Sequence, residues 1–321
     1  MIPPLVHIGL HRTGTTWLQQ GLFTEAAGVF HPVLSMERTI DLLVRPHDLA
    51  WDPAPARKAI EEGLAAAAQA GRLPVLSCEE LSGNPHAGAW NARILADRLH
   101  AVLPEARVLI VVRRQEELVL SNHRQYLARG GVGSLKRYLH PDPRWFRVPR
   151  FRFETFEFDR LVACHRERFG ADRVQVRCHE AIGDPVEFAR EIVRLAGGDP
   201  ADLEVAALPR DRVNAAPSAL LSAILRRTNR LCRRDDVNPH APWHLWRLHR
   251  GLQALDRVVL RRLSSGLDRR ERRFVAEACR GRYAESNARL ASMTGLDLAG
   301  SGYELPASSL VGTETGAGPR R

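Results

Sequence analysis

Two kinds of hydrophobic pattern alternate along the chain. Apolar, strand-like runs occur at 5–10, 73–77, 107–113 and 173–178, and helical patterns at 16–24, 54–70, 88–103, 115–129 and 184–197. The alternation predicts an α/β fold of three layers, αβα, in which helices cover both faces of a central, mostly parallel sheet. Within 54–70 the Ala-rich run Leu64 to Ala70 favours helix. Gly130 to Arg150, with its Gly-Gly-Val-Gly and Pro-Asp-Pro turns, reads as a long loop of the kind that forms lids or substrate walls. Three more helical segments follow at about 217–234, 242–263 and 268–292.

Length adds the domain count. A chain of 321 residues with 44% hydrophobic content buries a full core as one domain, here 1–305 with a helical extension over about 217–292. The Gly/Ser/Thr-rich stretch 306–321 reads as a disordered tail, and there is no internal repeat. Met-Ile-Pro-Pro opens no secretory pattern and no apolar run reaches spanning length, so a cytoplasmic protein without a transmembrane segment is expected. The five cysteines, Cys78, Cys164, Cys178, Cys232 and Cys279, are scattered and lack Cys-x-x-Cys spacing, which points to reduced structural thiols rather than a disulfide framework or a zinc site.

The formal charge of +10 raises nucleic-acid binding as a possibility, so its placement matters. Residues 221–290 hold 17 arginines against 7 acids, an excess equal to that of the whole chain. Only Lys58 and Lys136 are lysines. The pattern of Leu220, Leu221, Ile224 and Leu225 on one side and Arg226, Arg227 and Arg230 on another is that of amphipathic helices with a solvated basic face, so nucleic acid is not the expected partner. An acidic acceptor, an anionic membrane surface or a polysaccharide would suit the same face, and Trp243 and Trp246 could add an aromatic wall.

The candidate chemistry begins at the first strand. Leu5 to Leu10 delivers the chain into a Gly-x-x-x-x-Gly-Thr-Thr turn, Gly9 to Thr16, that opens a helix. Backbone amides and a helix N-terminus converge there on one anion. The Lys of the nucleoside-triphosphate loop is replaced by Thr15, and the cation sits earlier, at Arg12. After the third strand comes Arg113, with Ser121 eight positions on, both near the carboxyl edge of the sheet where ligands bind. The second strand ends in Ser77-Cys78-Glu79-Glu80, which puts carboxylates at the same edge. His7 reads as a core histidine, whereas His11 lies inside the loop, in reach of substrate; His31 is a weaker candidate.

The run Arg12-Thr13-Gly14-Thr15-Thr16-Trp17 resembles the 5′-phosphosulfate loop of sulfotransferases that use 3′-phosphoadenosine 5′-phosphosulfate (PAPS), with Arg where that family usually has Lys. Arg113 through Ser121 is similar to its 3′-phosphate motif, with Arg114 and Gln115 in place of Asp and Pro. Ser77-x-Glu79 and the closing Arg280-Gly-Arg-Tyr283 to Asn287 segment resemble the bacterial branch. The resemblance implies a P-loop-like fold and transfer of a sulfuryl group from PAPS, leaving 3′-phosphoadenosine 5′-phosphate (PAP), to a hydroxyl or amine of a small-molecule, glycan or lipid acceptor, with no metal. It places Arg12, Thr13, Gly14, Thr15, Thr16 and Trp17 at the donor, Arg113 and Ser121 on the 3′-phosphate, and Arg12 and Glu79 in catalysis, with Glu79 as the base ahead of Glu80 or a histidine; His11 joins the catalytic set by its place inside the loop and not by the resemblance. Two other readings stand beside it: a P-loop kinase or NTPase, which lacks both the loop lysine and a Walker-B-type Asp, and a nucleic-acid-binding protein built on the Arg-rich helices. The acceptor and the oligomeric state are open at this point.

Overall fold

The computed structural model describes residues 2–144, 147–209, 216–233 and 237–307. Five strands, β1 (Leu5–His7), β2 (Phe30–Pro32), β3 (Leu73–Ser77), β4 (Arg107–Val112) and β5 (Val174–Cys178), form one all-parallel sheet in the order β2-β3-β1-β4-β5. Four match the apolar runs in the sequence. The fifth, β2, has no counterpart there, because it is three residues long, buries only Phe30 fully and ends in Pro32 at the sheet edge.

The pleat explains why the strand runs are so apolar. Val6 and Ile8 of the first run, and Val108, Ile110 and Val112 of β4, pack into one core; Leu5, Leu109 and Val111 point into the core on the opposite face. A strand buried on both faces carries no polar rhythm. Helices α2 (Pro53–Gln69), α3 (Ala92–Val102), α4 (Gln115–Ala128) and α5 (Phe158–Phe169) supply apolar residues to the first face, while α1 (Thr15–Trp17) and α6 (Pro185–Ala196) cover the second. α1 runs on through a wide π turn, Leu18–Leu22.

The helical boundaries differ from the sequence pattern in three places. The segment expected over 88–103 becomes helix only at Ala92, because Gly88 and Ala89 adopt positive φ in a turn. The segment over 242–263 begins at Trp246, as α8 (Trp246–Leu255), after α7 (Ala219–Cys232). The stretch 268–292 is two helices, α9 (Ser265–Cys279) and α10 (Ala284–Thr294), parted at Arg280–Arg282, where the Glu304 carboxylate accepts from the Gly281 amide. The described residues of the expected loop 130–150 carry one short helix, Leu135–Leu139. Residues 308–321, most of the expected tail, lie outside the described residues.

All five cysteines are free thiols. Among the described residues no helix is long and apolar enough to cross a membrane. The chain crosses from β3 over β1 to β4, which leaves β1 central, and the loop after β1 opens at the carboxyl edge beside this crossover.

Candidate functional site

The loop after β1 is shaped by close approach and by two threonines. A Cβ at Gly9 would lie 2.5 Å from His7 Cε1 and 3.0 Å from Thr15 Oγ1, so the backbone folds over the His7 ring only because that position is glycine. The Leu10 carbonyl accepts from Thr13 Oγ1 at 2.6 Å and from Thr15 Oγ1 at 3.3 Å. Arg12 adopts φ 71° and Gly14 φ 88°, and a Cβ at Gly14 would meet Ile182 Cδ1 at 2.8 Å. The Gly14 carbonyl then accepts from the amides of Trp17 and Leu18 at 2.9 and 3.2 Å, which starts the helix with its positive dipole end at the loop.

Two guanidinium groups meet there. Arg12 Nε donates to Ser121 Oγ of α4 at 2.9 Å, and Arg113, one residue past β4, donates to the Arg12 carbonyl at 3.1 Å. Burial and then the neighbouring Arg113 charge pull the Arg12 pKa below its ordinary value. Glu117, in the first turn of α4, accepts from Arg113 at 2.6 Å and from Arg114 at 2.9 Å. Burial alone would raise this carboxyl; the hydrogen bond and charge of Arg113, with Arg114 and Arg272, outweigh it and hold Glu117 below the usual carboxylate range. Two converging cations, one largely desolvated, on a loop of amides and threonines form an arrangement that a multivalent oxyanion would neutralise.

The carboxylates lie on the β3 side. Gln19 Nε2 donates to Glu79 Oε2 at 3.1 Å and reaches the Ser77 carbonyl and hydroxyl at 3.3 Å, while Ser77 Oγ is 2.8 Å from His7 Nδ1. His7, Ser77, Gln19 and Glu79 thus form one continuous chain. His11 is buried, and burial, then Arg129 and Arg12, pushes it down to about 3; its Nε2 lies 3.6 Å from Glu80 Oε1. The imidazole is neutral at neutral pH.

The residues singled out in the sequence therefore fall into two groups. Arg12, Thr13, Gly14, Thr15, Thr16, Arg113 and Ser121 gather around the loop; Arg12 and Ser121, given separate phosphates by the resemblance, are directly bonded. Glu79 and His11 sit at its β3 side. Trp17 is taken up by the core: it is 7% exposed, its ring is 6.3 Å from that of Phe188, and its indole N–H donates to the Pro209 carbonyl at 3.1 Å. Tyr283 and Asn287 are also packed, with the Tyr283 hydroxyl donating to the Phe153 carbonyl and Asn287 bonded to Gln115. Sequence reasoning missed Gln19 and Glu117. Glu117 had a signal, four residues from Arg113 at helical spacing; Gln19 had none.

No family model and no curated protein sequence matches the chain. Its structure is similar to solved sulfotransferases. That from Alicyclobacillus acidocaldarius aligns at TM-score 0.48 with 15% identity, covering 65% of this chain and 86% of the other. The sulfotransferase domain of the Synechococcus PCC 7002 olefin synthase aligns at TM-score 0.34 with 14% identity over 61% and 74%, and a sulfotransferase from Mycobacterium avium at TM-score 0.36 with 15% identity over 67% and 71%.

Proposed function

We propose that this protein is a PAPS-dependent sulfotransferase acting on a hydroxyl or amine. The observation that carries the reading is the half-buried Arg12, held between the glycine loop and Ser121 with Arg113 beside it. A donor with a phosphosulfate at one end and a 3′-phosphate at the other has oxyanions enough for both guanidinium groups, and PAPS supplies the activated sulfuryl group.

In this reading Arg12, the Thr15 and Thr16 hydroxyls and the loop amides neutralise charge that develops on the leaving oxygen. Arg113, with Ser121, grips the 3′-phosphate, and Glu117 fixes the Arg113 fork. Glu79 takes the acceptor proton as the new S–O bond forms and the bond to the leaving phosphate breaks; Gln19 holds its carboxylate in place. His11 stays neutral, so it acts as a hydrogen-bonding wall of the acceptor side rather than as a cation.

Isothermal titration with PAP tests this, with magnesium-ATP and adenosine 5′-phosphosulfate as comparisons. Tight binding that needs the 3′-phosphate and weakens at least tenfold in Arg113→Ala is expected. Preference for magnesium-ATP, or no binding of PAP, would overturn it.

A further inference from the structure

One cavity lies outside the chemistry described so far. It measures about 300 Å³ and is walled by His86, Tyr126, Tyr138 and Phe151. The rings form one platform: Tyr126 and Tyr138 have centroids 5.2 Å apart at 39°, and Tyr138 and Phe151 4.8 Å apart at 36°. Their polar atoms are occupied by the protein. His86 Nδ1 is 2.9 Å from the Tyr138 hydroxyl, and the Tyr126 hydroxyl accepts from the amides of Val132 and Gly133, each at 3.2 Å. What the platform offers a ligand is therefore π surface.

Arginines surround it. Arg137, Arg150 and Arg230 line the same cavity, no Asp or Glu does, and among the described residues neither Arg137 nor Arg230 is ion-paired. Guanidinium groups beside aromatic rings bind planar carboxylates and sulfonates with a fork of donors and stack on the attached ring. The volume suits one or two fused rings.

The cavity also adjoins the candidate active site along the chain. Tyr126 is on α4, five residues beyond Ser121, or about 7.5 Å along the axis. His86 lies in the turn that follows the Glu79–Ser82 segment. Arg129, just past the carboxyl end of α4, lies near enough to the loop for its charge to lower the His11 pKa.

We infer that this cavity binds a planar aromatic compound carrying an anionic group, and that this compound is the acceptor. Only the second half rests on the proposed sulfuryl transfer.

The test is titration of the full chain with 6-hydroxy-2-naphthoate and with 2-naphthol, which differ by the carboxylate. The naphthoate is expected to bind at least tenfold more tightly. The preference should vanish in Arg137→Gln/Arg230→Gln, a double change at exposed positions that leaves the melting temperature unchanged. It should persist in Arg113→Ala and in the presence of saturating PAP. Equal binding of the two probes, an unchanged preference in the double variant, or displacement by PAP would overturn the inference. Naphthoate binding without PAP binding would leave the cavity assignment standing and remove the sulfotransferase reading; PAP binding without naphthoate binding would do the reverse.

Discussion

Four of the five buried histidines among the described residues have strongly lowered pKa values, and the protein is expected to lose stability in mild acid. Burial pushes His7 and His11 down to about 3, and His123 and His165 down to about 4, from an ordinary 6.5. In the unfolded chain these rings accept a proton near pH 6.5, so between that pH and about 3 to 4 the unfolded state binds more protons than the folded one. Their full contribution to stability is present above pH 6.5 and is lost as the pH falls below it, by about 1.4 kcal/mol per pH unit for each histidine as an upper bound. The urea midpoint should therefore be lower at pH 5.0 than at pH 7.5. His165, stacked on Phe169 at 6.3 Å and remote from the loop, allows a single-residue check: His165→Phe should reduce the dependence by one proton. A midpoint that is flat between those two pH values would show that the imidazoles are accessible to water in the native state.

Among elements, the loop after β1 is the most constrained, and Gly9→Ala tests it. The added methyl would lie 2.5 and 2.6 Å from the buried His7 ring, which is held by Ser77, so the loop rather than the ring has to move. A loss of about 1–3 kcal/mol is expected from the overpacking, together with a loss of PAP binding larger than stability alone explains. Gly251→Ala serves as the control: it sits inside α8 with open space around it and should stabilise by about 0.5–1 kcal/mol without touching PAP binding. Wild-type PAP affinity in Gly9→Ala would remove the loop from the donor site. This loop was legible in the sequence because all its determinants lie within residues 5–17, as was the α/β layering, because β1, β3 and β4 are buried on both faces. β2 was not, being an edge strand whose pairing with β3 depends on the assembled sheet. Nor was the direct bond between Arg12 and Ser121, which are 109 residues apart and meet only once β1 and β4 lie side by side; the resemblance treats the two motifs separately, and the register Leu5↔Arg107 brings them together.

At the scale of the whole molecule, the Arg-rich helical part acts as a brace for the site. Two of the three acids of α9 turn inward: Asp268 and Glu271 accept from the buried Arg124 of α4 at 2.5 and 2.7 Å, and Arg124 also donates to the Pro217 carbonyl ahead of α7, while Glu277 is exposed and paired with Arg280. Arg269, Arg270, Arg272 and Arg273 of the same helix are left exposed. The exposure of positive charge on α9 thus follows from how it docks, with Asp268 and Glu271 used against α4 and four arginines facing solvent. Arg272 reaches back to within 3.8 Å of Glu117, the carboxylate that fixes Arg113, so α9 braces α4 at two points on either side of Ser121. Arg124→Met removes one of them and leaves two carboxylates facing an uncharged side chain. A cost of about 3–5 kcal/mol is expected, the range for breaking a buried ion pair. Because the second point ends at Arg113, PAP affinity should fall as well, and amide exchange should quicken across 219–232 and 265–279 before it does in the sheet. Loss of stability spread evenly over the sheet and these helices, with PAP affinity intact in the folded fraction, would show instead that Arg124 supports the fold as a whole and that the helical part has no hold on the donor site.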